Sequence, residues 1–170
     1  GGVLKLYKLE FPDKPILPIT DYDIAKSFPA ESADSLWSWI VEKAVILQEF
    51  MKPYPGAARF LSDLKKRGHT NILITSQPAV KLKQSAMIWL AAHPDILRSL
   101  DTIVIGDFRK TAKTCLPVDV LLDDCITNLK LAKQTLHVLP VLMKRNWNSD
   151  WDGLKITEYA ELFCVLDKNT

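Results

Sequence analysis

The sequence predicts an open α/β fold in which helices flank a parallel sheet. Three observations predict it. Four short apolar runs, at 71–74, 102–105, 118–122 and 136–143, are apolar on both faces, as strands buried on both sides require. Helical periodicities at 56–67, 81–93 and 157–166 alternate with them. Three of the runs end in polar residues, Thr75-Ser76, Gly106-Asp107 and Asp123-Asp124. Open α/β sheets place their chemistry beyond such carboxyl ends.

Taken in order, residues 1–10 read as a short amphipathic helix with Val3, Leu4, Tyr7 and Phe11 near one face. Pro12, Pro15 and Pro18 then impose a loop. Residues 32–51 read as one helix, with Leu36, Trp37, Ile40, Ala44 and Leu47 at spacings of three and four until Pro53 and Pro55. The helix at 56–67 carries Ala57, Phe60, Leu61 and Leu64 and closes on Arg67-Gly68. The first strand follows and ends at Thr75-Ser76. The helix at 81–93 stops before Pro94, and strands lead to Gly106-Asp107 and Asp123-Asp124. After the fourth strand comes a polar, aromatic turn at 144–151, whose Arg145-Asn146-Trp147-Asn148 reads equally as a phosphate contact or pocket closure and as a wet turn with one packed Trp, and the helix at 157–166 ends the pattern.

Composition excludes several classes. With 48% hydrophobic and 25% charged residues, the 170-residue chain is neither disordered, collagenous nor a coiled coil. A net charge of +2, from 22 basic and 20 acidic residues, is no nucleic-acid footprint. No apolar run approaches the ~20 residues that span a bilayer, so no membrane partner is expected. Cys115, Cys125 and Cys164 lack C-x-x-C spacing and read as free thiols of a reducing compartment, the cytoplasm. His69, His93 and His137 have no neighbour at metal-ligand spacing and read as structural.

The strand ends carry the candidate chemistry. Adjacent carboxylates at Asp123-Asp124, after Val120-Leu121-Leu122, repel each other and are costly to desolvate without a cation. They read as a Mg²⁺ site of hard oxygen ligands, against a solvated loop in which Asp124 caps the next helix. Thr75-Ser76 precedes a helix and suits phosphate oxygens or, equally, a plain helix cap. The basic segment 109–113 offers a lysine to neutralise a phosphate, or a solvated face.

A strand ending in Thr/Ser, a later lysine and a strand ending in Asp-Asp, in that order, resemble motifs two to four of the haloacid-dehalogenase-like (HAD) phosphohydrolases. The segments GGVLKLYKLEFPDKP, KPYPGA, ILITS and KTCLPVDVLLDD make the chain resemble the 5'(3')-deoxyribonucleotidases within that superfamily. The resemblance covers most of the chain. It implies a Rossmann-like HAD fold with a helical cap at 1–52 and an α/β core at 53–170. It further implies Mg²⁺ as cofactor with Asp124 and Asp123 as metal residues. Thr75, Ser76 and Lys113 become phosphate-binding residues, with Lys113 rather than Lys110 as the motif lysine because it aligns without a gap.

The family's D-x-D-G-V loop supplies a nucleophile that forms an aspartyl-phosphate and an acid/base residue, from the end of a central first strand. No D-x-D-G-V occurs in these 170 residues; Asp21-Tyr22-Asp23 has the spacing but no preceding apolar strand. The expectation is therefore a chain cut after its catalytic loop, lacking the central first strand and holding no catalytic residue of its own. Family members stack the base between cap aromatics, where this chain has Ala25, Lys26, Leu47 and Gln48; Phe28, Trp37, Trp39 and Phe50 lie near. The expected activity of the parent protein is hydrolysis of (deoxy)ribonucleoside monophosphates, a small-molecule substrate, with a homodimer possible through bare sheet edges. A phosphatase of another small phosphoester and a non-catalytic phosphate-binding fragment are the alternatives.

Overall fold

A computed structural model describes residues 2–108, 113, 116–135 and 137–168. The chain divides into two compact units, one of Gly1–Pro18 with Asp23–Asp107 and one of Ile19–Tyr22 with Phe108–Thr170.

The first unit contains α1 (Gly2–Glu10), a 3-10 turn (Ile24–Ser27), α2 (Ala33–Glu42), α3 (Ala44–Phe50), α4 (Ala57–Lys66), β1 (Ile72–Ser76), α5 (Val80–Ala92), α6 (Pro94–Leu97) and β2 (Thr102–Gly106). Its aromatic core follows from the amphipathic pattern of α1. Tyr7 is buried, with Phe28 edge-on at 4.7 Å and Trp39 edge-on at 5.5 Å. Leu6, Leu36, Ile40 and Leu47 complete the cluster. The Tyr7 hydroxyl donates to Glu31 Oε1 at 2.9 Å and is pushed up to about 12, by burial first and then by that carboxylate. Gly2 lets α1 approach α3, since a Cβ there would lie 2.7 Å from Met51 Cγ.

The single helix expected at 32–51 is two helices, broken at Lys43. The apolar stripe survives the break, for Leu36, Ile40, Ala44 and Leu47 are all buried. Trp37 is not part of that stripe and is 48% exposed, because it stands about 100° around the helix from Leu36. Phe28 is wholly buried and Trp39 packs on Tyr7 while donating to Glu10, so neither is free to meet a base.

Strands β1 and β2 pair in parallel, in register from Ile72 with Thr102 to Ser76 with Gly106. Asn71 braces their amino ends: its buried amide donates to Leu61 O and Ser99 O, both at 2.8 Å. Asp101 accepts from Lys65 Nζ at 2.8 Å and from the Asn71 N–H at 2.9 Å, which holds its carboxyl below the usual aspartate range. A depressed carboxyl stabilises the fold above its unfolded value and loses that contribution as pH falls through the folded one. Carboxyl-carbon NMR should find Asp101 titrating low and moving up in Lys65→Met. An ordinary titration in both proteins would contradict this pairing.

The second unit contains β3 (Val120–Asp123), α7 (Ile126–Lys133), β4 (Leu139–Met143), β5 (Leu154–Ile156) and α8 (Glu161–Leu166). Its strands are parallel in the order β3-β4-β5. The last of these is absent from the sequence reading, because three residues give no periodicity. β4 begins three residues later than expected, after His137 takes a left-handed φ of 75° that extended backbone cannot accommodate. Leu129, Ala132 and Leu142 form the centre of the core, with Leu121 and Trp151 beside them. The helix expected from 157 starts at Glu161, whose carboxylate instead accepts from the Thr157 N–H and hydroxyl.

The parallel strands and flanking helices are those of the expected α/β class. Among the described residues, β1 pairs with β2 alone and β3 with β4 alone. No described helix is long and apolar enough to cross a membrane.

Candidate active site

The second unit gathers three of the residues singled out by sequence at the carboxyl end of β3. Asp123 is the last residue of that strand and its side chain is 5% exposed. Three donors hold it. Lys113 Nζ lies 2.8 Å from Oδ2, Asn128 Nδ2 lies 3.0 Å from the same oxygen, and the Cys125 N–H lies 2.8 Å from Oδ1. Burial without these donors would cost several kcal/mol, so the pairing is what permits a carboxylate at this depth.

Asp124 has a different environment. Burial raises its carboxyl above the usual aspartate range, with the Asp123 charge adding to the effect; its own backbone N–H, Lys113 and Arg145 pull the other way. It does not cap the following helix: Cys125 holds the cap position of α7, which has no side-chain capping bond. The two adjacent carboxylates therefore do different work. Asp123 anchors Lys113 and the start of α7, whereas Asp124 is left desolvated and disfavoured as an anion.

Two asparagines complete this edge: Asn128, which pattern reasoning did not find, and Asn148, in the turn past the fourth strand. Asn128 stands in the first half of α7, and its bond to Asp123 spans five residues, a tertiary spacing with no sequence signature. Asn148, 3% exposed, sits in the turn after β4. Its amide donates to Asp124 O at 2.8 Å and to Met143 O at 2.9 Å, and its Oδ1 accepts from the Arg145 N–H at 2.6 Å. One side chain thus joins the loop after β3 to the loop after β4. Tyr22 also belongs here. The residue is exposed overall, but its hydroxyl is pushed above the ordinary tyrosine value, by desolvation first and then by Cys125, Asp124 and Asp123.

The Thr75 and Ser76 pair ends β1 in the other unit, half-buried beside Ile105 and Gly106 of β2. Neither caps α5, whose cap position is Ala79. Gln77 ties the two strand ends: its N–H donates to Gly106 O at 2.6 Å and its amide donates to Thr75 Oγ1 at 3.2 Å. A hydroxyl that accepts in this way still has its own proton to donate. Lys110 and Cys115 lie outside the described residues. Cys125 is buried and Cys164 exposed, both as free thiols.

Asp124 fits a hard divalent cation, because it is an oxygen donor whose anionic form is penalised and would be relieved by positive charge. Among the described residues, no group of three or more His, Cys, Asp or Glu is gathered for a metal ion. Mg²⁺ commonly takes only one or two protein carboxylates and fills its octahedron with water and phosphate oxygens, so the fit is to that ion rather than to zinc.

A search of curated proteins gives no match. The family model described as "5' nucleotidase, deoxy (Pyrimidine), cytosolic type C protein" matches residues 9–166. That span contains every element from α2 to α8, the Thr75-Ser76 strand end and the Lys113–Asp123–Asp124 cluster alike. The chain belongs to this family of HAD-like 5'-nucleotidases, the deoxyribonucleotidases.

Proposed function

We propose that the chain supplies the phosphate- and metal-binding half of a Mg²⁺-dependent phosphomonoesterase for deoxyribonucleoside monophosphates in the cytoplasm, with residues 1–52 as its cap. The observation that carries this reading is the division of labour between Asp123, held by three donors, and Asp124, left for a cation. Bound at Asp124, Mg²⁺ supplies charge neutralisation and orientation of the phosphoryl oxygens. Asp123 does not need to ligate; it holds Lys113 at the strand end, where the ammonium offsets phosphate charge. Thr75 and Ser76, at the end of β1, are the hydroxyls that the family resemblance assigns to phosphate binding. The attacking carboxylate is the family's D-x-D-G-V aspartate, a motif that these residues do not include.

The test is a graft. A D-x-D-G-V strand and loop from a family member is fused ahead of Gly1, and phosphate release is followed with Mg²⁺ present. Deoxyribonucleoside monophosphates should be hydrolysed, and Asp124→Asn should cut the rate by about 10²–10³-fold, the usual loss when one preorganised charge-stabilising group is removed. Asp123→Asn should lose less through metal affinity and more through folding, because its partners are protein donors. A folded graft that hydrolyses other small phosphoesters but no nucleotide would overturn the substrate assignment. One indifferent to Asp124→Asn would overturn the metal site.

A further inference from the structure

The peptide unit between Asp124 and Cys125 is held at both of its polar ends. Its N–H, that of Cys125, donates to Asp123 Oδ1 at 2.8 Å. Its carbonyl, that of Asp124, accepts from Asn148 Nδ2 at 2.8 Å. A peptide unit is planar, so bonds on its two opposite edges fix its rotation and narrow the directions open to the Asp124 side chain.

Both anchors are themselves fixed. Asp123 is held by Lys113 and Asn128. Asn148 is 3% exposed, and its amide nitrogen donates to Asp124 O and Met143 O while its oxygen accepts from the Arg145 N–H. Two carbonyls at one end of the amide and an N–H at the other leave it a single orientation. The bonds to Met143 and Arg145 span five and three residues and close the turn after β4. The bond to Asp124 spans 24 residues and adds nothing to that turn. It reaches instead the backbone of the residue that the metal reading needs. A ligand already held in place avoids the ordering cost that a loose one meets on binding.

We propose that Asn148 is a positioning residue for the metal site: by holding the Asp124 carbonyl, it presets the Asp124 carboxylate for a divalent cation. The role rests on the reading of Asp124 as the metal residue, and Asn148 acts through the Asp124 backbone rather than as a ligand. Partners of this kind typically contribute about 10–100-fold in metal affinity.

Calorimetry with MgCl₂ on the full chain tests it, at a temperature where circular dichroism shows each variant folded. Mg²⁺ should bind the unmodified chain, and Asp124→Asn should abolish that binding. Asn148→Ala should bind Mg²⁺ about 10–100-fold more weakly. Leu162→Ala, at a buried position on α8 of the same unit, should lower the Tm and leave the Mg²⁺ affinity unchanged, which separates positioning from stability. Where Asn148→Ala does not fold, NMR of the unmodified chain decides. On titration with Mg²⁺, the Asn148 side-chain amide and the Cys125 N–H should shift with one midpoint, because they lie at the two ends of one peptide unit.

A folded Asn148→Ala with unchanged Mg²⁺ affinity, or an equal loss in Leu162→Ala, would overturn the positioning role and leave the metal reading standing. Mg²⁺ binding that leaves both NMR signals unmoved would do the same. Mg²⁺ binding indifferent to Asp124→Asn, or no Mg²⁺ binding at all, would overturn the metal reading and the positioning role together.

Discussion

A polypeptide of these 170 residues should release no measurable phosphate from any deoxyribonucleoside monophosphate, even with Mg²⁺ in excess. The covalent route needs a carboxylate aimed at phosphorus and a second to move the proton, and no D-x-D-G-V is present to supply them. Removing a nucleophile costs about 10⁶ in rate in the measured case, which places any residual rate below a steady-state assay. The spacing-matched pair does not replace it. Asp23 Oδ1 accepts from the Ala25 N–H at 3.1 Å and caps the 3-10 turn, so it is committed to local structure. Phosphate release over a deoxynucleotide panel is the measurement. Turnover abolished by Asp21→Asn or Asp23→Asn would show that this pair is catalytic after all.

The second large effect is on stability. Asn148→Ala removes three hydrogen bonds at a residue that is 3% exposed, and leaves Asp124 O, Met143 O and the Arg145 N–H to find other partners. Each buried group left unsatisfied costs about 1–3 kcal/mol, so a loss of about 3 kcal/mol is expected. For a chain of this size that corresponds to a Tm about 6–12 °C lower. Asn148→Asp should be at least as harmful. It keeps an acceptor for Arg145 but cannot donate to either carbonyl, and it places an anion against two carbonyl oxygens. Thermal unfolding followed by circular dichroism decides the matter. A Tm unchanged within a degree would mean that water or backbone movement replaces all three bonds.

Much of this was legible before any coordinates. The strand runs ending in Thr75-Ser76 and Asp123-Asp124 are apolar on both faces and alternate with helical segments, a combination that points to a parallel sheet, so the α/β class could be read from the sequence. The burial of Leu36, Ile40, Ala44 and Leu47 was likewise legible, because helical spacing places them on one face whether the helix is continuous or broken at Lys43. What failed were short or locally strained features. β5 has three residues, and the late start of β4 depends on one left-handed residue, His137.

At the site, residue types and their order along the chain named Asp123, Asp124 and the basic segment 109–113 as candidates, since paired carboxylates and a lysine beyond strand ends suit phosphate chemistry, and the family resemblance chose Lys113 within that segment. Order along the chain could not apportion their work. Asp123 is held by Asn128, which α7 returns to it, and by Lys113, while burial leaves Asp124 desolvated and Asn148 holds its carbonyl rather than its carboxylate. Those distinctions come from groups separated by five to 24 residues. Local propensity and periodicity carry information over about one turn of helix or one strand. The tertiary structure alone decides which of two identical neighbouring side chains is an anchor and which is left for a ligand.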